Sequence, residues 1–134
     1  MSRLLSDLRP EMQPKVAQFL ADAQAAGIDL LVTCTLRTLD EQARLYAQGR
    51  TTAGRIVTNA MPGQSAHNFG LAVDVVPIVD GKPDWSGTDG VWKQVGELGQ
   101  AAGLDWLGAP GSPFLEYAHF QLPNWKVVAQ QLEA

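Results

Sequence analysis

Cysteine occurs once in these 134 residues and histidine twice, and acidic residues outnumber basic ones by 14 to 10. The single Cys34 excludes an internal disulfide, so nothing in the chain requires an oxidising compartment. The net charge of −4 and pI near 5.0 argue against a nucleic-acid partner, because such proteins carry a basic patch to neutralise phosphates. No apolar run approaches the roughly 18 residues of a membrane span, and no block of like charge reads as a tail or a membrane-surface stripe. Residues Met1 to Pro10 contain no uninterrupted apolar stretch and no small-residue cleavage site, so they do not read as a secretion signal. The expectation is a monomer made in the cytoplasm, with no membrane insertion, that needs another agent to let it out if it works outside.

What is present describes one folded domain over residues 1–134. Hydrophobic residues at 46% and charged residues at 18% are ordinary for a soluble chain of this length. Apolar periodicity predicts a helix over Pro10 to Ala26, with Pro14 moving its true start towards Gln13 and Gly27 closing it. The β-branched run Ile28 to Leu36 predicts a buried strand. Thr38 with Glu41 three residues on is a capping-box pattern, opening a helix to Gln48 that Gly49 stops. Arg50 to Gln64 reads as a long loop with at most a short strand at Ile56-Val57. Leu71 to Val79 is a second strand, turned back by Asp80-Gly81. A third helix is expected over Gly90 to Ala102, short strands at Leu104 to Leu107 and Ala118 to Leu122, and a last helix capped by Asn124. Without a clean βαβ alternation, the fold class is α+β: a small central antiparallel sheet flanked by helices.

Both histidines lie beside carboxylates. His67 is followed by Asp74, and His119 is preceded by Glu116. His67, Asp74 and His119 would make a two-histidine, one-carboxylate set, which suits zinc with an open position, leaving Glu116 as the free carboxylate that handles a proton. The offset of seven between His67 and Asp74 would put them on opposite faces of one regular strand, so the chain must bend between them, and Asn68-Phe69-Gly70 supplies residues that accept left-handed backbone. Asp74 interrupts an apolar strand, a costly position unless it is paired or metal-bound. Glu116 and His119 share a side only if the chain turns between them, and the preceding Gly111-Ser112-Pro113 makes such a turn. The blander alternatives are a hydrogen-bonded structural histidine, an edge-strand aspartate and a loop glutamate. Cys34, as a nucleophile, competes with its reading as a small core residue. Trp85, Trp92, Trp106 and Trp125 read as core and groove rim in preference to a saccharide-stacking surface. Asp80, Asp84 and Asp89 lack EF-hand spacing and read as a solvated loop.

The string Ser65-Ala66-His67-Asn68-Phe69-Gly70-Leu71-Ala72-Val73-Asp74 resembles the S-x-H-x-x-G-x-A-x-D signature of the zinc D-alanyl-D-alanine peptidase family, which includes VanY-type carboxypeptidases, vancomycin-resistance dipeptidases and phage L-alanyl-D-glutamate endopeptidases. Glu116-Tyr117-Ala118-His119-Phe120 is similar to that family's E/D-x-x-H-F segment. Upstream, Thr35 to Thr51 resembles the phage endopeptidase branch, and the likeness extends over Ile28 to Gln121. Leu36 stands where many relatives have a small residue, Ala118 where proline is common, and Glu116 where this branch often has aspartate. The resemblance implies Zn²⁺ held by His67, Asp74 and His119, with Glu116 as general base and acid and Arg37 holding a substrate carboxylate or an oxyanion. Ser65 is implied to bond the substrate backbone, and Gln42 to line the same cleft. The implied activity is cleavage of the L-alanyl-D-glutamate bond in peptidoglycan stem peptides by an endolysin without a separate wall-binding domain, released from the host cytoplasm by a holin. The alternatives are a D,D-carboxypeptidase or dipeptidase of the same family, or a zinc-stabilised binding module without turnover.

Overall fold

In the computed structural model, which describes residues 1–86, 90–112 and 115–133, four helices pack around an open antiparallel sheet. Asp89 and Pro113, named above for a loop and a turn, lie outside the described residues. Strands β1 (Asp29–Cys34), β2 (Ala72–Val79), β5 (His119–Gln121) and β4 (Asp105–Trp106) lie in the order β1-β2-β5-β4. The two-residue β3 (Lys82–Pro83) folds back on the end of β2, opposite Ile78 and Val79, through the turn at Asp80-Gly81. This is the α+β architecture with an antiparallel sheet that the sequence predicts.

Helix α1 (Gln13–Ala25) starts where Pro14 can occupy the first turn without losing a hydrogen bond. Gly27 follows it with a φ of 78°. Helix α2 (Leu39–Ala47) opens on the expected capping box: Thr38 Oγ1 accepts from Glu41 N–H, and the Glu41 carboxylate accepts from Thr38 N–H at 2.9 Å. Ile56 and Val57 form no strand. Carbonyls of that loop are instead tied back by side chains, Thr58 O by Arg50 and Ala60 O by Gln42. Helix α4 (Trp125–Glu133) is preceded by Asn124 at a φ of 59°, whose main-chain carbonyl takes the Val127 N–H. Asn124 thus contributes tolerance of left-handed backbone, where the sequence suggests the extended backbone of an N-cap.

The core lies between α1, helix α3 (Gly90–Ala101) and one face of the sheet. Phe19 of α1 meets Phe120 of β5 with ring centroids 4.7 Å apart, and Trp106 stacks on Phe120 at 6.3 Å. Gly96 and Gly99 share a face of α3, and a Cβ added to them would fall 2.2 Å from Trp106 and 2.3 Å from Phe120. The helix backbone therefore rests directly on two aromatic rings, a closeness that any larger residue would prevent. Trp92 and Trp106 are buried here, whereas Trp85 is exposed.

Strand β1 is irregular at its far end. Val32 pairs with Val75 but Cys34 pairs with Asp74, so Thr33 is an extra residue and the strand carries a bulge.

Candidate active site

The segment that carries His67 is a short 3₁₀ turn, Ala66–Phe69, capped by Ser65, whose hydroxyl accepts from His67 N–H at 3.3 Å. Gly70 ends the turn in the left-handed conformation, φ 67°, and a Cβ there would lie 3.0 Å from Asp7 O. The turn reverses the side from which His67 approaches, so it meets Asp74 on β2 despite their odd offset. Asp74 pairs directly with His119 of β5 across the sheet. Between Glu116 and His119 the chain turns, with His119 N–H bonded to Glu116 O at 3.2 Å.

The stretch after β1 is laced to this turn. Arg37 N–H donates to His67 O at 3.0 Å, Asn68 Nδ2 donates to Arg37 O at 3.0 Å, and His67 Nδ1 lies 2.9 Å from Thr35 O. A carbonyl only accepts, so His67 carries its proton on Nδ1 and presents a lone pair at Nε2. His119 Nε2 lies 2.9 Å from Gln121 Oε1, which leaves Nδ1 as its lone-pair nitrogen. Both bare nitrogens reach the same oxygen: Asp74 Oδ1 lies 3.0 Å from His67 Nε2 and 3.2 Å from His119 Nδ1. Two lone-pair nitrogens thus converge on one carboxylate oxygen, an arrangement that is stable only with a proton or a cation among them.

The electrostatics agree. Burial alone would depress the pKa of His67, but the hydrogen bond and charge of Asp74 outweigh it and raise it to about 10. Burial opposes the ionisation of Asp74, yet its contacts with His119 and His67 hold it well below the ordinary carboxylate range. The pocket thus demands a positive charge at its centre. Two imidazole nitrogens and a carboxylate oxygen are donors that fit zinc or a similar divalent ion. Cys34 belongs to a rival grouping, since Cys34, His67 and Asp74 offer possible ligand atoms within 4.8 Å of one another. Its Sγ, however, lies 3.6 Å from His67 Nδ1, the nitrogen already engaged by Thr35 O, and so on the wrong edge of the ring. His119 Nδ1, by contrast, lies 3.2 Å from the same Asp74 oxygen that His67 Nε2 approaches, on the edge of the His67 ring turned away from Cys34.

These groups line an open cleft of about 990 Å³ that also holds Arg37, Ser65, Glu116 and Gln121. Glu116 is exposed, with Oε2 3.9 Å from His119 Nδ1, beside the converging atoms and not among them. Gln42 is placed differently from the expectation of a cleft-lining side chain. It is fully buried, accepting from the Arg37 guanidinium at 2.9 Å and donating to Ala60 O at 2.8 Å. Sequence reading misses Gln121, although two residues beyond His119 on a strand is the same face. It also misses Met1, whose sulfur lies 3.1 Å from Arg37 Nε and for which no local signal exists.

The family profile described as VanY, D-alanyl-D-alanine carboxypeptidase, matches residues 5–106. The peptidoglycan L-alanyl-D-glutamate endopeptidase CwlK of Bacillus subtilis (strain 168) is 38% identical over 128 residues, covering 89% of this chain and 76% of that protein. Among solved structures, the Serratia marcescens L-Ala D-Glu endopeptidase ChiX superposes with a TM-score of 0.66 at 21% identity, over 92% of this chain and 86% of that one. A vancomycin resistance D,D-pentapeptidase VanY in complex with Zn(II) gives 0.65 at 18% identity, over 93% and 77%. At those identities the two structures speak for the fold alone.

Proposed function

The chain belongs to the VanY D-alanyl-D-alanine carboxypeptidase family, and from that membership we propose that it is a zinc peptidase cutting the L-alanyl-D-glutamate bond of peptidoglycan stem peptides. The observation that carries the reading is the approach of His67 Nε2 and His119 Nδ1 to one oxygen of Asp74, in a cleft that also holds Glu116 and Arg37. The choice of bond is supported by the relative CwlK, whose name gives that activity.

In this proposal His67, Asp74 and His119 hold the zinc. When bound there, zinc supplies Lewis acidity, polarising the scissile carbonyl and making water a better nucleophile near neutral pH. Glu116 accepts a proton from the attacking water as its oxygen bonds to the carbonyl carbon. As the C–N bond breaks, Glu116 returns that proton to the departing amine, leaving a carboxylate and a free amino terminus. Arg37, fixed by the buried Gln42, presents its positive charge to a substrate carboxylate or to the oxygen that gains charge. Gln42 acts through Arg37 and does not reach the substrate. Ser65, its hydroxyl engaged by the His67 turn, still lines the cleft and offers an acceptor to the substrate backbone. Residues 1–134 serve as one catalytic domain, and the likeness of Thr35 to Thr51 to the phage branch supports service as an endolysin that reaches the wall through holin-type release.

The test is digestion of Gram-negative peptidoglycan by wild type and Glu116→Ala, each with and without chelator, with products identified by mass spectrometry. New amino-terminal D-glutamate, lost on chelation and in Glu116→Ala, is the expected result. Release of terminal D-alanine alone would move the chain to the carboxypeptidase activity named by its family. No cleavage of any muropeptide by the zinc-loaded wild type would overturn the enzyme reading in favour of a zinc-stabilised binding module.

A further inference from the structure

We propose that Gln121 is a positioning residue that fixes which ring nitrogen His119 offers to the metal; this rests on the zinc-site reading above. His119 and Gln121 are alternate residues of β5 and face the same side of the sheet. Gln121 Oε1 lies 2.9 Å from His119 Nε2 while the opposite nitrogen, Nδ1, lies 3.2 Å from Asp74 Oδ1. A neutral imidazole has one N–H and one lone pair, so an acceptor at Nε2 commits Nδ1 to the centre and holds the ring in the plane that reaches it.

The two imidazoles of the site solve this problem with different means. His67 has its proton fixed by Thr35 O, a main-chain carbonyl that no substitution removes. His119 depends on a side chain, and that side chain is at the cleft surface, bordered across the sheet by Ala72 of β2 and Asp105 of β4. Glutamine is also ambiguous: turned over, its amide would offer N–H groups to Nε2 and favour the wrong tautomer. Acceptor chemistry at position 121 is therefore what the metal site requires. A carboxylate there can only accept, and an apolar side chain of similar size can do neither.

The experiment measures zinc affinity by chelator competition, for wild type, Gln121→Leu, Gln121→Glu and His119→Ala, alongside the thermal stability of each chelated protein. The expected result is zinc binding weakened about 10–100-fold in Gln121→Leu, held at or above the wild-type level in Gln121→Glu, with chelated Tm values close to wild type in both. Equal affinity for all three position-121 forms would overturn the proposal, as would equal weakening in Leu and Glu, which would mark a packing role. If wild type binds no zinc, or His119→Ala binds it as wild type does, the metal centre itself is overturned, a failure distinct from the loss of Gln121's role alone.

Discussion

Strands β2 and β5 have two faces, and the faces obey opposite rules. On one, Val73 and Phe120 pair across the strands and are fully buried against α1 and α3. On the other, Asp74 pairs with His119, and both face the cleft together with Gln121, which sits opposite the buried Ala72. The first face is apolar, dry and complete without any ligand. The second turns two imidazole nitrogens onto one carboxylate oxygen and is complete only with a positive charge. Because side chains alternate along a strand, neither face can be altered by a shift of one residue without exchanging both. The core face holds the register that the cleft face uses.

The comparison breaks first at Phe120. Phe120→Ala removes the ring that Phe19, Trp106 and Gly99 all meet, and should cost about 3–5 kcal/mol, read by urea unfolding, with zinc present or absent. A loss under about 1 kcal/mol, the scale of an ordinary substitution, would mean the two faces share the core more evenly than the packing implies. Zinc is the next lever. At a free concentration about 100 times its Kd it should stabilise wild type by about 2.7 kcal/mol, and Asp74→Asn by nothing measurable. An equal zinc-dependent rise in Tm for both would remove Asp74 from the site.

Third comes pH, in the chelated protein. His67 is raised from its ordinary 6.5 to about 10, so the stability from its pairing is whole below pH 6.5 and is lost as the pH climbs through 10. Asp74 is lowered from its ordinary 3.8, so its share is whole above 3.8 and is lost as the pH falls below. Melts with chelator should therefore show a plateau between those limits and a decline towards pH 10. Zinc should flatten the alkaline decline, because the ion replaces the proton, and should itself be lost in acid. A chelated Tm that rises from about pH 7 to about pH 9 would contradict this. Smaller again, Gly96→Ala forces Trp106 or α3 to move and should cost about 1–3 kcal/mol. Thr38→Ala, on the capping box, should cost about 1 kcal/mol, with cleavage per folded molecule unchanged in both variants.

Signals carried by short-range chemistry are readable from the chain. Thr38 and Glu41 announce α2 because a capping box is local. Gly70 announces the bend that joins His67 to Asp74, because few residues accept that backbone. The approach of Glu116 to His119 also follows from a turn of three residues. What cannot be read depends on distant partners. Gln42 looks like a cleft residue, and only the packing of α2 against the 50–64 loop buries it under Arg37. Cys34 is the small core residue its surroundings suggest, but its place beside His67 comes from a sheet register that no local pattern encodes. Asn124 reads as a side-chain cap when its use is a positive φ, a distinction composition does not draw.

The bulge at Thr33 carries a lesson for anyone who would tidy this fold. Regular pairing of β1 with β2 would need one residue fewer, and the sheet would gain an uninterrupted ladder. That deletion would pull the chain beyond Cys34 out of phase, moving the Thr35 carbonyl from His67 and the Arg37 main chain from its partners in the 3₁₀ turn. A backbone idealised for stability would thus erase the flaw on which the chemistry depends. Thermostabilisation of this scaffold should spare this defect and work on the helices instead.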